Sequence, residues 1–104
     1  MITPDLVWKT RADLGLSTLV LARVIGVQTE TVEAWEMARG PVQCLASSET
    51  ILRALAQAAQ AARNPAKLGH AMTEAAINHG PMAALYLALH AIYWRTAPKQ
   101  EPAK

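Results

Sequence analysis

Two side chains of this sequence have types and a spacing that could bind a metal ion. His70 and Glu74 are four residues apart, so they share one face if this segment is helical. No third ligand follows at a suitable spacing, because His79 lies about two and a half helical turns beyond His70 and His90 belongs to a later segment. A solvated ion pair between His70 and Glu74 explains the spacing better, and we expect no metal site.

The motifs of common enzymes and nucleotide-binding proteins are missing from the sequence. It contains no glycine-rich phosphate loop, no His-Glu-x-x-His and no Gly-x-Ser-x-Gly. The single cysteine, Cys44, excludes an intramolecular disulfide and a cysteine-based zinc site, and we expect it to be a half-buried apolar residue. We therefore expect no enzyme activity and no cofactor.

Composition predicts a small all-α protein. The chain has 104 residues, of which 52% are hydrophobic, and alanine is abundant after residue 54. Phenylalanine is absent and runs of β-branched residues are few, so we expect no sheet. The first ten residues contain Asp5 and Lys9 where a secretory leader would be apolar, so we expect a cytoplasmic protein.

Charge is distributed unevenly along the chain. Residues 1–40 carry four basic and five acidic side chains, a net charge of −1, and the remainder carries six basic and three acidic ones, a net charge of +3. The N-terminal part is therefore not a basic surface of the kind that binds phosphates strongly.

Residues 16–39 contain two short helical patterns that meet at a turn. Two steeply crossing helices require a small residue where they cross and a conformationally flexible residue in the turn. Ala22 is at the predicted crossing and Gly26 is in the predicted turn. The apolar residues predicted to face the crossing are Leu19, Leu21, Ala22 and Ile25 on the first helix and Val32, Trp35 and Met37 on the second. The spacing predicts a helix-turn-helix arrangement.

This stretch resembles the Xre/Cro-like family of phage repressors, small bacterial regulators and antitoxins. The resemblance is carried by Leu16, Ser17, Leu21, Ala22, Gly26, Val27, Thr31, Val32, Trp35 and Glu36. Members of this family also pair an arginine of the first helix with the glutamate that ends the recognition helix, which here implies a pair between Arg11 and Glu36. The resemblance covers residues 3–62 and implies a Cro/repressor-like helix-turn-helix bundle with additional C-terminal helices.

The resemblance also implies a function, a sequence-specific DNA-binding transcriptional repressor that binds a pseudo-palindromic operator as a homodimer. Glutamine can bond adenine, threonine can contact a thymine methyl group, and glutamate can accept from the cytosine amino group. The DNA-binding positions carried over from the family are Thr18, Gln28, Thr29, Glu30, Ala34 and Arg39. Two of them have ordinary structural explanations, because Thr18 also suits the first turn of a helix and Arg39 also suits the helix dipole.

Capping residues and breakers predict six helices. The predicted ranges are 4–14 after the N-cap Thr3, 18–25 after the N-cap Ser17, 29–38, 49–63 after Ser47 or Ser48, 66–78 and 82–95. The third helix could extend one further turn, up to Gly40 and Pro41. We divide the chain into a DNA-binding domain at 1–63, a helical hairpin at 64–96 and a frayed tail at 97–104.

The last helix is apolar on nearly every face, so it must be buried on more than one side. We expect it to pack across a two-fold axis in a homodimer, through Leu85, Leu89, Ile92 and Tyr93. Complete burial within one chain and binding to a membrane surface are the alternatives, and the second is disfavoured because no basic face accompanies the helix.

A second function remains open, in which the helix-turn-helix is a scaffold for protein binding, as in an antitoxin or an anti-activator. It is motivated by the acidic side chains Glu30 and Glu33, which repel DNA, and by the apolar last helix.

Overall fold

The computed structural model describes residues 1–96, and these form an all-α protein, as predicted. The helices are α1 (Pro4–Leu14), α2 (Thr18–Ile25), α3 (Thr29–Met37), α4 (Ala46–Ala61), α5 (Pro65–His79) and α6 (Pro81–Thr96). The one extended pairing in this part of the chain is an isolated bridge between Ile2 and Val42. None of the described helices is both long and apolar enough to span a membrane. The predicted frayed tail, 97–104, lies outside the described residues.

Local capping sets the first two helices, as the sequence predicted. The Thr3 hydroxyl accepts from the Leu6 amide at 3.1 Å, and the Ser17 hydroxyl accepts from the Val20 amide at 3.1 Å. Gly15 ends α1 with φ of 66°, in the left-handed region that glycine enters without strain.

The predicted extension of α3 by a further turn and the predicted serine cap of α4 were wrong. Helix α3 ends at Met37 and does not continue toward Gly40, because Ala38 is already extended, with ψ of 154°. Helix α4 begins at Ala46 with no side-chain cap, and Ser48 is buried inside its first turn instead of capping it.

All six helices contribute to one apolar core. Helices α5 and α6 pack against each other and against α1, α2 and α4. The largest fully buried side chains are Ile2, Val7, Leu14, Leu21, Val32, Leu52, Leu55 and Met72. The helical hairpin at 64–96 is therefore part of the packing that supports α1 and α2.

Helices α1 and α5 approach each other at a glycine. A methyl group built on Gly69 would lie 1.5 Å from the carbonyl oxygen of Leu14 and 2.5 Å from its carbonyl carbon. Both of these atoms belong to the backbone, so no side-chain rotation could make room. The contact fixes the distance between α1 and α5.

Glu49 joins α4 to the first residues of the chain. Its carboxylate accepts from the Met1 ammonium at 2.8 Å and from Arg53 Nε at 2.8 Å. Arg53 also donates to the Met1 carbonyl at 3.0 Å. The hydrogen bond from the Met1 ammonium, followed by that from Arg53, lowers the pKa of the Glu49 carboxyl.

We expect Glu49→Gln to change the acid side of the stability profile. Because the folded pKa of Glu49 is lowered, its carboxylate stabilises the fold above the unfolded pKa, and this contribution is lost as pH falls through the folded pKa. Melting temperatures from pH 7 down to about pH 2 should show the wild type above Glu49→Gln at neutral pH and level with it at the acid end. Glu33→Gln, which removes an exposed carboxyl, is the control. A Glu49→Gln deficit that stays constant with pH would contradict this account.

Candidate nucleic-acid interface

The turn between α2 and α3 is set by one glycine. Gly26 has φ of 92°, which favours glycine, and its amide donates to the Ala22 carbonyl at 2.8 Å. The amide of Val27 donates to the same carbonyl at 2.9 Å. These two bonds close α2, and Gln28 then stands at the N-cap of α3 without a side-chain cap bond. The Gln28 side chain is exposed and is not used to cap the helix.

Buried side chains hold α2 against α3. Leu21 and Ile25 are buried on α2, and Val32 and Trp35 are buried on α3. Ala22 is buried as well. Three residues of the predicted structural motif, Ala22, Val32 and Trp35, therefore lie in the core, and Gly26 lies in the turn.

Two residues predicted to face this crossing do not. Leu19 and Met37 are exposed. The buried face of α2 consists of Val20, Leu21, Val24 and Ile25 together with Ala22, and Leu19 lies on the opposite side of the helix. The pairs at 20 and 24 and at 21 and 25 are each one turn apart, which is the signal that should have excluded Leu19.

An ion pair connects α1 to the end of α3. Arg11 Nη2 donates to one carboxylate oxygen of Glu36 at 3.0 Å, and Nε donates to the other at 2.6 Å. Arg11 Nη1 also donates to the Leu16 carbonyl at 3.3 Å. The hydrogen bond that Arg11 donates to Glu36, opposed by burial, raises the pKa of the Arg11 guanidinium above its usual value. The structure thus brings together the two residues that the resemblance pairs, and the pair neutralises Glu36.

The predicted DNA-contact residues form one surface on α3 and two separate points beside it. Glu30 and Ala34 are exposed on the side of α3 opposite Val32 and Trp35, and Thr29 is half-buried at the boundary between the two sides. We call Gln28, Thr29, Glu30, Glu33 and Ala34 the outer face of α3. Thr18 is half-buried in the first turn of α2, and Arg39 is exposed two residues beyond the end of α3.

The charges around the outer face of α3 are mixed. Glu30 and Glu33 are exposed on it, whereas the exposed cations near the two helices are Arg39 and Arg23. Arg23 was not among the residues predicted to contact DNA. It lies four residues after Leu19, on the side of α2 away from the buried pairs, and this spacing could have identified it as an exposed cation. This surface can donate and accept hydrogen bonds, but it is not a strongly basic patch.

The residues that could hold a metal are not gathered in one place. His70 Nε2 lies 3.3 Å from a Glu74 carboxylate oxygen, as in an i,i+4 pair on the exposed surface of α5. Among residues 1–96, no three histidine, cysteine or acidic side chains are grouped as metal ligands would be. Cys44 is half-buried, as predicted.

No protein-family model, curated protein or solved structure matches this chain.

Proposed function

We propose that the chain is a sequence-specific DNA-binding transcriptional regulator, a repressor that acts in the cytoplasm as a homodimer on a pseudo-palindromic operator. In this proposal α2, the turn and α3 form a helix-turn-helix motif, and α3 enters the major groove. The observation that carries the proposal is the division of α3 into two sides. Val32 and Trp35 are buried, whereas Glu30 and Glu33 are exposed on the opposite side and Gln28 is exposed at the start of the helix.

The chemistry of the outer face of α3 suits base edges. The side chain of Gln28 can donate to and accept from adenine, and Thr29 can contact a thymine methyl group or donate a hydrogen bond. Glu30 can accept from a cytosine amino group. Ala34 leaves room for the bases to approach the helix.

Phosphate contacts come from residues beside α3. Thr18 lies in the first turn of α2, where free amides and the helix dipole attract anions, and Arg39 supplies a cation beyond the end of α3. Because Glu30 and Glu33 oppose the phosphates, we expect few net counterions to be released. Non-specific binding should be weak, and the operator should be distinguished mainly by its bases.

Two substitutions separate base recognition from phosphate binding. Selection of bound sequences from random oligonucleotides first supplies a site, and titrations on that site and its single-base variants then follow. Thr29→Ala should relax base preference at one position, by about 0.5–1.5 kcal/mol of discrimination, as expected for one neutral hydrogen bond. Arg39→Ala should weaken all sequences alike and lower the salt slope by about one.

Lys67→Ala is the matched control for Arg39→Ala, because it removes one exposed cation from α5. It should leave affinity, preference and salt slope unchanged. If Thr29→Ala and Arg39→Ala both bind like the wild type, the assignment of α3 to DNA is wrong.

A second candidate is a protein-binding scaffold, as in an antitoxin or an anti-activator. It is favoured by the exposed acidic residues of α3 and by the exposed apolar side chains of α6. The salt dependence of DNA binding distinguishes the regulator from the scaffold. Retention on heparin and affinity for random duplex that falls with salt support the regulator, whereas indifference to DNA at low salt supports the scaffold.

A further inference from the structure

Helix α6 has one side in the core. Ala84 and Ala88, one turn apart, are fully buried, and α6 contacts α5, α4 and α2. Leu85, Leu87 and Ile92 are half-buried and pack against the core from its edges. Two of the residues predicted for dimerisation, Leu85 and Ile92, are therefore partly occupied by packing within the chain.

The opposite side of α6 carries a line of large exposed apolar side chains. Met82 is 60% exposed, Tyr86 66%, Leu89 43% and Tyr93 62%. The intervals between them are four, three and four residues, so the four side chains follow one face of the helix. We call these four residues the α6 stripe. Single exposed apolar residues are ordinary, but a contiguous row of them marks an interaction surface.

Charge indicates what kind of partner fits the α6 stripe. No lysine, arginine, aspartate or glutamate occurs between Pro81 and Tyr93. In a two-fold interface the same surface faces itself, so any charged group near the axis would meet a like charge. A face without such groups can meet its own copy with no repulsion, whereas it offers nothing to a partner recognised by charge.

The spacing of the α6 stripe is also symmetric about its centre. Reversing the order of its positions gives the same intervals, so an antiparallel copy would place Met82 opposite Tyr93 of the second copy and Tyr86 opposite Leu89 of the second copy. Each tyrosine then packs on a smaller, aliphatic side chain. A parallel copy would instead place each tyrosine against its own equivalent, leaving the smaller side chains together and the packing uneven.

We propose that two copies of this chain associate through their α6 stripes, packed antiparallel with the two-fold axis level with Leu87 and Ala88. This refines the homodimer of the proposed function by naming its interface, and it is independent of whether α3 binds DNA. Residues 97–104 contain no large apolar side chain, so that segment is a poor cover for the stripe and a second copy is a better one.

The area of the α6 stripe sets the expected strength of the dimer. Each of the four side chains exposes on the order of 100 Å², so together they supply about half of the ~800 Å² that each partner buries in a standard interface. Flanking parts of α6 must supply the rest. We therefore expect a reversible dimer whose population rises with protein concentration.

Sedimentation velocity over a concentration series, without DNA, tests the interface. Leu89→Asp should raise the dissociation constant at least tenfold, because it buries an unpaired carboxylate. Leu45→Asp is the matched control, since Leu45 is also exposed and stands at the N-cap of α4, where aspartate is favourable. Thermal melts of both variants show whether each is folded.

Cross-linking tests the antiparallel arrangement. In a Cys44→Ser background, chains carrying Tyr86→Cys are mixed with chains carrying Leu89→Cys and treated with a short thiol cross-linker. The antiparallel dimer should give mixed cross-linked pairs in excess over pairs of identical chains. An excess of identical pairs would overturn the arrangement.

Two results would overturn the interface itself. They are a wild-type protein that stays monomeric at every concentration, whether or not it binds lipid vesicles through the α6 stripe, and a Leu89→Asp variant that dimerises like the wild type. Failure of the DNA proposal is a different result. A stripe-mediated dimer that ignores DNA contradicts only the function of α3. A monomer that binds a single half-site contradicts the interface and the homodimer, but not the assignment of α3 to DNA.

Discussion

Gly69→Ala should reduce the free energy of unfolding by about 3 kcal/mol or more, although alanine is the better helix former. In an ordinary helix interior this substitution stabilises by roughly 0.5–1 kcal/mol. Here the added methyl group would lie 1.5 Å from the Leu14 carbonyl oxygen, so α1 and α5 must separate. Separation opens gaps around Leu14 and Met72, both fully buried. Helix propensity alone predicts that Gly69→Ala stabilises the protein, so a lower free energy of unfolding would be the signature of this contact.

Gly40→Ala is the matched control. Gly40 lies in the segment between α3 and α4, and a methyl group there would meet no atom within 4 Å. Its stability should change by less than about 1 kcal/mol. Chemical denaturation of both variants measures the difference in the free energy of unfolding. The comparison is valid when both variants show the same dependence of that free energy on denaturant concentration, which the same curves report. A Gly69→Ala protein as stable as the wild type would contradict the close approach of α1 and α5.

Local rules explain which parts of the fold the sequence predicts well. Thr3 and Ser17 cap helices through hydrogen bonds to residues three positions later, and Gly15 and Gly26 end helices by entering the left-handed region. These interactions need only neighbours in sequence, so residue type and spacing are sufficient to find them.

Tertiary packing explains the features of the fold that the sequence did not predict. Nothing next to Gly69 in sequence indicates that a carbonyl oxygen from α1 will lie against it. Ser48 matches a capping residue locally, yet α4 begins earlier and buries it. The apolar pattern of α6 predicts burial, but which side faces the core depends on where Ala84 and Ala88 meet the helices around them.

The candidate site was predictable for a related reason. Val32 and Trp35 are three residues apart, so one side of α3 must face inward and the other outward, whatever the rest of the fold does. The same reasoning applies to Leu19. Its side chain is as apolar as its neighbours, but the one-turn pairs at 20 and 24 and at 21 and 25 mark a buried face of α2 that leaves Leu19 exposed.

Arg11→Ala and Glu36→Ala should each reduce the free energy of unfolding by about 2 kcal/mol, because each leaves a partly buried charge without its partner. The side chains are 27% and 14% exposed, and the guanidinium meets both carboxylate oxygens. Such two-point contacts are stronger and more directional than single ones. Removing both side chains should cost less than the two single losses together, since no charge is then left unpaired.

A double-mutant cycle on Arg11 and Glu36 should therefore give a coupling energy of roughly 1–2 kcal/mol. The same cycle on Lys9 and Asp13 is the control, because that pair, at 3.2 Å within α1, is more exposed. Its coupling should be about 0.3–0.5 kcal/mol. Equal coupling for the two pairs would show that the Arg11–Glu36 pair does not hold α3 to α1.

The DNA affinity of the folded Glu36→Ala protein tests a separate point. If the coupling energy is large but this affinity is unchanged, the pair stabilises the fold and has no role in presenting the outer face of α3.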